Sequence, residues 1–367
     1  MNLFKAFSLG FLTTVVIGCS GNVDSKADRI RVDFDNTISS LVGAVESIEL
    51  IPLENDGTHL LGSFIGFSVV DSSFILADYM NGNIFRYSSG GRFVNSIGCR
   101  GNGPEEYVHI NDVQCRDSTV YVFSVPSRIQ RFSLEGSMLD MTVLNEMDLG
   151  AMSWMTDDGV LTYYGYGTGR KARFSLLSGD SKSDFYPSKD KVMNYTPNAL
   201  IFSVSGDSVF VVDSYSDIIK IYCDRTMLDG PRFDFGKYSI PRSFYEYDDP
   251  YSSMDSLLGS EFAMINRFFS DGDRRFVSIT LQKHTGLYNY CGLCKKGEWS
   301  WFAAGEEGND VLYNSFHCMS DGVLYCLWDP SKLTSLPASL KKLVLTPNVL
   351  DETVDDGNYI VAKLSLL

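Results

Sequence analysis

Histidine is scarce in this chain. Four occur in 367 residues, at positions 59, 109, 284 and 317, and none neighbours a second histidine or an obvious carboxylate in sequence. No GxSxG element is present, so nothing local nominates a nucleophile–histidine hydrolase. Basic residues are outnumbered, 31 Lys and Arg against 46 Asp and Glu, for a formal net charge of −15. Nucleic-acid binders need a basic stripe, which excludes nucleic acid as a partner. The same acidity disfavours docking of the protein's own surface on an anionic membrane. Apart from the first twenty residues there is no long apolar run. The cysteines lack a framework: beyond Cys19, seven are scattered at 99, 115, 223, 291, 294, 318 and 326. Cys291-Gly292-Leu293-Cys294 is a CxxC without a second CxxC or paired histidines, so zinc is not expected. It lies in a strand-like run, where positions i and i+3 point to opposite faces, and reads as two small buried residues.

What the N-terminus does have is an address. In MNLFKAFSLGFLTTVVIGCS, Lys5 supplies a positive start and Ala6 to Ile17 an apolar stretch too short to span a bilayer. Val16-Ile17-Gly18-Cys19 fits a bacterial lipobox, with Cys19 the lipid-attachment residue. The expected organisation is a signal peptide over 1–18, a flexible tether over 19–40, and one folded domain over 41–367. Only Asp24 adds acidity just after Cys19. That favours the periplasmic face of the outer membrane over the cell surface.

Most of the remaining chain alternates apolar and polar residues over short runs separated by Gly, Asp, Asn and Ser, the period of half-buried strands. Three segments repeat one another: FILADYMNGNIFRYSSGGRF from Phe74, VYVFSVPSRIQRFSLEGSM from Val120, and VFVVDSYSDIIKIYCDRTM from Val209. Their second strands enter at Ile84, Ile129 and Ile219, spaced by 45 and 90 residues, and Phe174 falls halfway through the longer gap. A period near 45 is what a four-stranded propeller blade requires. A fifth copy enters at Leu287, and FHCMSDGVLYCLWD forms a sixth hairpin. The delay before the fifth reflects an insert at about 242–262, whose middle reads as a short helix. Two strands are left over, AVESIELIPLE and NYIVAKLSLL. Sharing the last blade would close the ring and remove its open edge. The prediction is an all-β, six-bladed propeller of four-stranded blades, closed by its terminal strands.

The most glycine-dense stretch is Gly98-Cys99-Arg100-Gly101-Asn102-Gly103-Pro104-Glu105-Glu106-Tyr107. A phosphate loop would need GxxxxGK[ST] or GxGxxG opening a helix. This stretch has no such lysine and runs from strand to strand. It reads as a corner between blades, its glycines allowing positive φ, Pro104 fixing the exit and Tyr107 packing at the junction.

The run ADYMNGNIFRYSSGGRFVNSIGCRGNGPEEYVHINDV resembles the first-blade signature of six-bladed, NHL-like β-propeller lipoproteins of Bacteroides-type bacteria, which read D…I…F…G.F…IG..G.GP.EY…I.D. IELIPLENDGTHLLG, SDIIKIYCDRTMLDGPRFDFGKYSIP and VDDGNYIVAKLSL are similar to the same family, so the likeness covers roughly 40–367. Glu105 and Cys99 depart from it, where Gly and a basic residue are usual. The resemblance implies the propeller fold and an envelope location, with a membrane link through Cys19.

For function, the reading is a non-enzymatic binding or scaffold protein that uses a propeller face or the central pocket on an unidentified protein or glycan, with no cofactor and no metal. Candidate ligand-face residues are Arg100, His109, Tyr245 and Tyr247. His109 follows the glycine corner and is a candidate to face the channel, although a lone histidine is more often a packing residue. The aromatics Trp154, Tyr163-Tyr164-Gly165-Tyr166 and Phe244-Tyr245-Glu246-Tyr247 could stack on sugars or fill the space between blades; the insert is the place where exposure is expected. The alternative is a metal-dependent hydrolase or lyase of lactonase type, with hard oxygen ligands converging on the axis. The acidic pairs Asp248-Asp249, Asp271-Gly272-Asp273 and Asp355-Asp356-Gly357-Asn358 read as insert and turn residues rather than as such a site.

Overall fold

The computed structural model describes residues 29–367 except 36, 38–39, 64, 104, 146–148, 151, 166–169, 188–200, 214, 247–248, 304–315, 335 and 352–357. Cys19, Pro104, Tyr166 and Tyr247 therefore lie outside the described residues. Six antiparallel sheets form a ring. Blade 1 comprises strands Ile65–Val70, Ser73–Asp78, Asn83–Ser88 and Phe93–Ser96, from axis to rim. Blades 2 to 5 begin at inner strands Ile110–Arg116, Met152–Thr156, Phe202–Ser205 and Phe262–Asp271. Blade 6 has inner strands Phe316–Ser320 and Val323–Trp328. It is completed by the C-terminal strand Ile360–Leu366 and, outermost, the N-terminal Val45–Pro52. Leu50 pairs with Ala362 in that closure, as the terminal strands predict.

The core lies between blades rather than within one layer. Side chains alternate along a strand, so the two faces of each blade meet different neighbours. In Ser73–Asp78 every residue is buried: Phe74 and Leu76 pack toward blade 6, while Ile75 and Ala77 pack toward blade 2. Four further junctions repeat this arrangement around the ring. Burying both faces explains why these strands read as continuous apolar runs.

Counted back from the outer turn of each blade, one buried position recurs in every third strand. It is held by Ile84, Ile129, Phe174, Ile219, Cys291 and Val361, paired with Ala77, Phe123, Tyr163, Val212, Ser278 and Leu327. The fifth copy is thus in register at Cys291, not at Leu287. Leu287 is 69% exposed because the hairpin joining Arg274–Lys283 to Gly286–Lys295 extends past the neighbouring blades. Cys291 packs at the blade 5–6 junction, and Cys294 is buried on the other face.

The expected tether over 19–40 also needs correction. Arg29–Arg31 pairs in parallel with the outer strand of blade 4, and Val32 and Phe34 are buried beside Phe233 and Phe235. Apolar side chains at alternate positions draw the segment onto the blade edge. The glycine corner joins blade 1 to blade 2, as its composition suggests. Gly98 has φ +61°, and a Cβ there would meet the rings of Phe132 and Tyr107 at 2.9 Å. The Tyr107 hydroxyl donates to the Ile97 carbonyl at 3.0 Å and its ring is buried against Phe132. The insert holds a helix, Pro250–Leu258, capped by the Asp249 carboxylate, which accepts from the Ser252 N–H at 2.8 Å.

Candidate functional site: an axial cavity

The inner strands of all six blades surround a cavity of about 490 Å3 on the axis. Its walls mix apolar and polar side chains, the apolar ones including Phe67, Met152, Trp154, Phe202, Phe269 and Met319 from five inner strands. The first turn of each blade puts an aspartate on one face of the ring: Asp71, Asp117, Asp157, Asp207, Asp273 and Asp321. Tight hairpin turns demand left-handed backbone, and Asp71, Asp117 and Asp321 adopt it at φ 45–52°. Asp117, Asp157 and Asp207 stand at the cavity rim. Arg116 is bound between Asp117, at 3.4 Å, and Asp157.

Two polar stations lie in or behind this wall. The first joins blades 1, 2 and 3. Asp112 is buried, and one carboxylate oxygen accepts from the Val113 N–H at 2.9 Å and the Tyr79 hydroxyl at 3.3 Å. The other accepts from the Ser153 N–H at 3.1 Å. Burial still pushes Asp112 up to about 7, and burial raises Tyr79 too. Beside it, buried Gln114 donates to the Met155 carbonyl at 3.0 Å and accepts from the Met155 N–H. These side chains tie the inner strands of blades 2 and 3 together.

The second station lies between blades 5 and 6. His317 borders the cavity, its ring 5.7 Å from that of Phe67. Its Nδ1 is buried with no hydrogen-bond partner among the described residues. Arg267, on the inner strand of blade 5, donates through Nε to the Phe316 carbonyl at 3.3 Å and through Nη1 to the Asn266 carbonyl at 2.9 Å. No carboxylate among the described residues pairs with it, and burial lowers it to about 10. Burial and the Arg267 charge together push His317 down to about 3, so it is neutral at physiological pH.

Other groups near the axis are chemically quiet. Burial pushes the Cys115 and Cys318 thiols up to about 12, the opposite of an activated nucleophile. No three His, Cys, Asp or Glu side chains converge around an ion-sized point among the described residues. The lactonase-type alternative draws no support from them.

The residues nominated from sequence lie elsewhere. Chain crossings between blades and the turns joining second to third strands share one face, opposite the aspartate turns. Arg100, His109 and Tyr245 belong to that loop face. Arg100 and His109 are exposed, and His109 sits just before its strand, outside the cavity lining. Tyr245 is half-buried: its hydroxyl donates to the Tyr215 carbonyl and its ring meets Phe244 edge-on at 5.0 Å. The insert's aromatic residue there packs rather than projects, because Tyr215, Phe244, Leu257 and Phe262 form a small core beneath it. Tyr163 and Tyr164 are likewise buried. Trp154 lines the cavity instead of a blade end.

The family model described as a domain of unknown function, DUF4934, matches residues 30–339. The chain belongs to this family. No curated protein matches the sequence. Among solved structures, the DUF4934 chain is similar to a Bacteroides fragilis protein whose name proposes export. The two share 15% identity and a TM-score of 0.73, over 92% of this chain and 99% of that one. It is also similar to a duf4221 family member from Bacteroides vulgatus, at 10% identity and a TM-score of 0.52, over 88% and 97% of the two chains. These likenesses establish a shared fold.

Proposed function

We propose that this DUF4934 protein is an exported, lipid-anchored binding protein without enzymatic activity, which holds a small ligand or the end of a larger one in its axial cavity. The observation that carries the reading is the cavity itself. It falls within the roughly 300–1,000 Å3 of small-molecule sites, and aromatic and apolar side chains share its lining with polar ones. The name of the Bacteroides fragilis relative supports export. Anchoring through Cys19 fits the position of the first strand, which starts ten residues later at Arg29 on the outer edge of blade 4. Ten residues reach at most about 35 Å, which would hold that blade toward the membrane.

The test is thermal shift and Trp154 fluorescence against panels of peptides, glycans and small organic acids, run beside elemental analysis and Ca2+, Mg2+, Mn2+ and Zn2+ titrations. Saturable quenching that is lost in Trp154→Phe supports an axial binding site. A stoichiometric ion, or a melting rise that saturates with one ion, would instead favour the hydrolase reading. Labelling with radioactive palmitate, lost in Cys19→Ala, checks the anchor.

A further inference from the structure

We propose that the axial cavity takes an organic cation, an ammonium group on an apolar body, with the body among the aromatic rings and the ammonium at the aspartate rim; this rests on the reading of the cavity as a binding site.

The layout of the lining sets the two ends of the ligand. Phe67, Trp154, Phe202 and Phe269 form a belt of rings on the inner strands, with Trp154 tilted against Phe202 at a centroid distance of 6.0 Å. Asp117, Asp157 and Asp207 stand at the mouth, each in the first turn of its blade. Where the inner strand of blade 3 runs into its turn, Trp154 and Asp157 are three residues apart, about 10 Å at the rise of an extended chain. A ligand with a ring in the belt therefore presents the far end of a short chain to the rim.

The charge of that end follows from what waits there. Arg116 is the one cationic side chain among the described residues of the lining, and Asp117 and Asp157 already hold it. Arg274, on the same face, is drawn aside to the Gly322 carbonyl at 3.3 Å. Further in, His317 is neutral and the Cys115 and Cys318 thiols stay protonated, so no positive charge meets an anion in the belt. An anion would have to pass three carboxylates to reach an arginine that two of them occupy. A cation meets the same carboxylates as partners, and Asp207 makes no hydrogen bond or ion pair among the described residues. Arg116 is the precedent, a positive group held at this rim by the turns of blades 2 and 3.

Exposure limits what each carboxylate contributes. The Asp117 and Asp157 side chains are 87% and 83% exposed, and a single pair so placed is weak. Three at the mouth of one cleft act together, because a cleft lined by one sign of charge focuses the field. The face of Trp154 adds attraction for an ammonium that passes the rim. The apolar body supplies the rest of the affinity through burial among the rings.

Calorimetry on the full chain in detergent at pH 7 with 4-phenylbutylamine, 4-phenylbutanol and 4-phenylbutanoate separates the claims. The amine is protonated at this pH, as a lysine side chain is. The expected result is saturable binding of amine and alcohol, the amine at least about fivefold tighter and the carboxylate weakest, with the amine's advantage shrinking between about 0.02 and about 0.5 M salt. Asp207→Asn cuts that advantage by about half or more, and Asp157→Asn with Asp207→Asn removes it, while alcohol binding persists and shows that the cavity is folded. Asp224→Asn makes the same change of net charge in the turn between the third and fourth strands of blade 4, outside the lining, and leaves the advantage in place. Equal binding of amine and alcohol by the wild type, a carboxylate that binds tightest, or a loss as large in Asp224→Asn as in Asp207→Asn overturns the cation assignment and leaves the cavity reading intact. Binding of none of the three probes overturns both.

Discussion

Around the axis, two ionisable pairs are set between blades, Tyr79 with Asp112 on one side and Arg267 with His317 on the other. On the first, Asp112 sits at the meeting point of blades 1, 2 and 3 and receives hydrogen bonds from Val113, Tyr79 and Ser153, of which the Tyr79 and Ser153 contacts tie blade 2 to its two neighbours. On the second, Arg267 meets carbonyls and no carboxylate, and His317 keeps a nitrogen without a partner among the described residues. Inter-blade contacts in a propeller are made by side chains, because backbone ladders run within blades. A polar group whose contacts are complete is therefore part of the mortar. One whose contacts are incomplete adds less to that mortar.

The sharpest way to break the comparison is to delete the satisfied wall. Asp112→Ala leaves three inward donors without an acceptor, each a desolvated group with nothing to meet. The expected loss is about 3–4 kcal/mol in urea unfolding at neutral pH. A loss below about 1 kcal/mol would show that Asp112 does not tie blades 1, 2 and 3.

A second test uses pH, because the walls titrate with opposite sign. Asp112 is raised from 3.8 to about 7 in the fold. Between those values the folded protein keeps a proton that the unfolded chain has released. The contribution is full below pH 4 and lost as pH rises through about 7. His317 is lowered from 6.5 to about 3. Its contribution is full above about pH 6.5 and lost as pH falls through about 3. In the wild type the two slopes oppose each other between about pH 4 and 6.5. Asp112→Asn should therefore melt progressively lower on acidification across this window, and His317→Gln progressively higher, with the Asp112 swing at most about 4 kcal/mol. Melting profiles of the two variants that run parallel would remove the basis for treating the walls as different.

How much of this was legible in the sequence differs between fold and site. The 45-residue spacing of Ile84, Ile129, Phe174 and Ile219 marks positions that share one depth in each blade, and strand alternation and turn residues are local signals. The leftover terminal strands likewise foretell the closure of blade 6. Register failed at Leu287 because an extended hairpin mimics the start of the repeat. Residues 29–35 were misread because polar flanks hid two buried side chains, Val32 and Phe34. The site was legible only faintly. An arginine inside FAMINRFFSD, an otherwise apolar strand, is the one signal that could have flagged it. That Arg267 meets no carboxylate among the described residues depends on what blade 6 brings beside it, which no spacing rule encodes. Sequence reasoning looked instead to exposed aromatics and the lone His109, and so to the opposite face.

Smaller effects sharpen the contrast further. Tyr79→Phe removes one of three donors to Asp112, with an expected cost of about 1 kcal/mol and a further rise in the Asp112 pKa, readable from carboxyl NMR titration. Arg267→Met is the telling counterpart. Removing a member of a satisfied buried network is destabilising, whereas replacing a half-buried charge that no carboxylate among the described residues meets by an apolar side chain of similar length is close to neutral. With the two backbone contacts of Arg267 lost and its desolvation cost relieved, the net change without ligand should fall within about 1 kcal/mol of zero. His317, relieved of a neighbouring positive charge, should titrate at higher pH in the same variant, a shift visible in its imidazole proton resonances. A loss as large as that of Asp112→Ala would mean that Arg267 is mortar too, held by contacts equal to its charge, and the two walls would then differ in residue type but not in role.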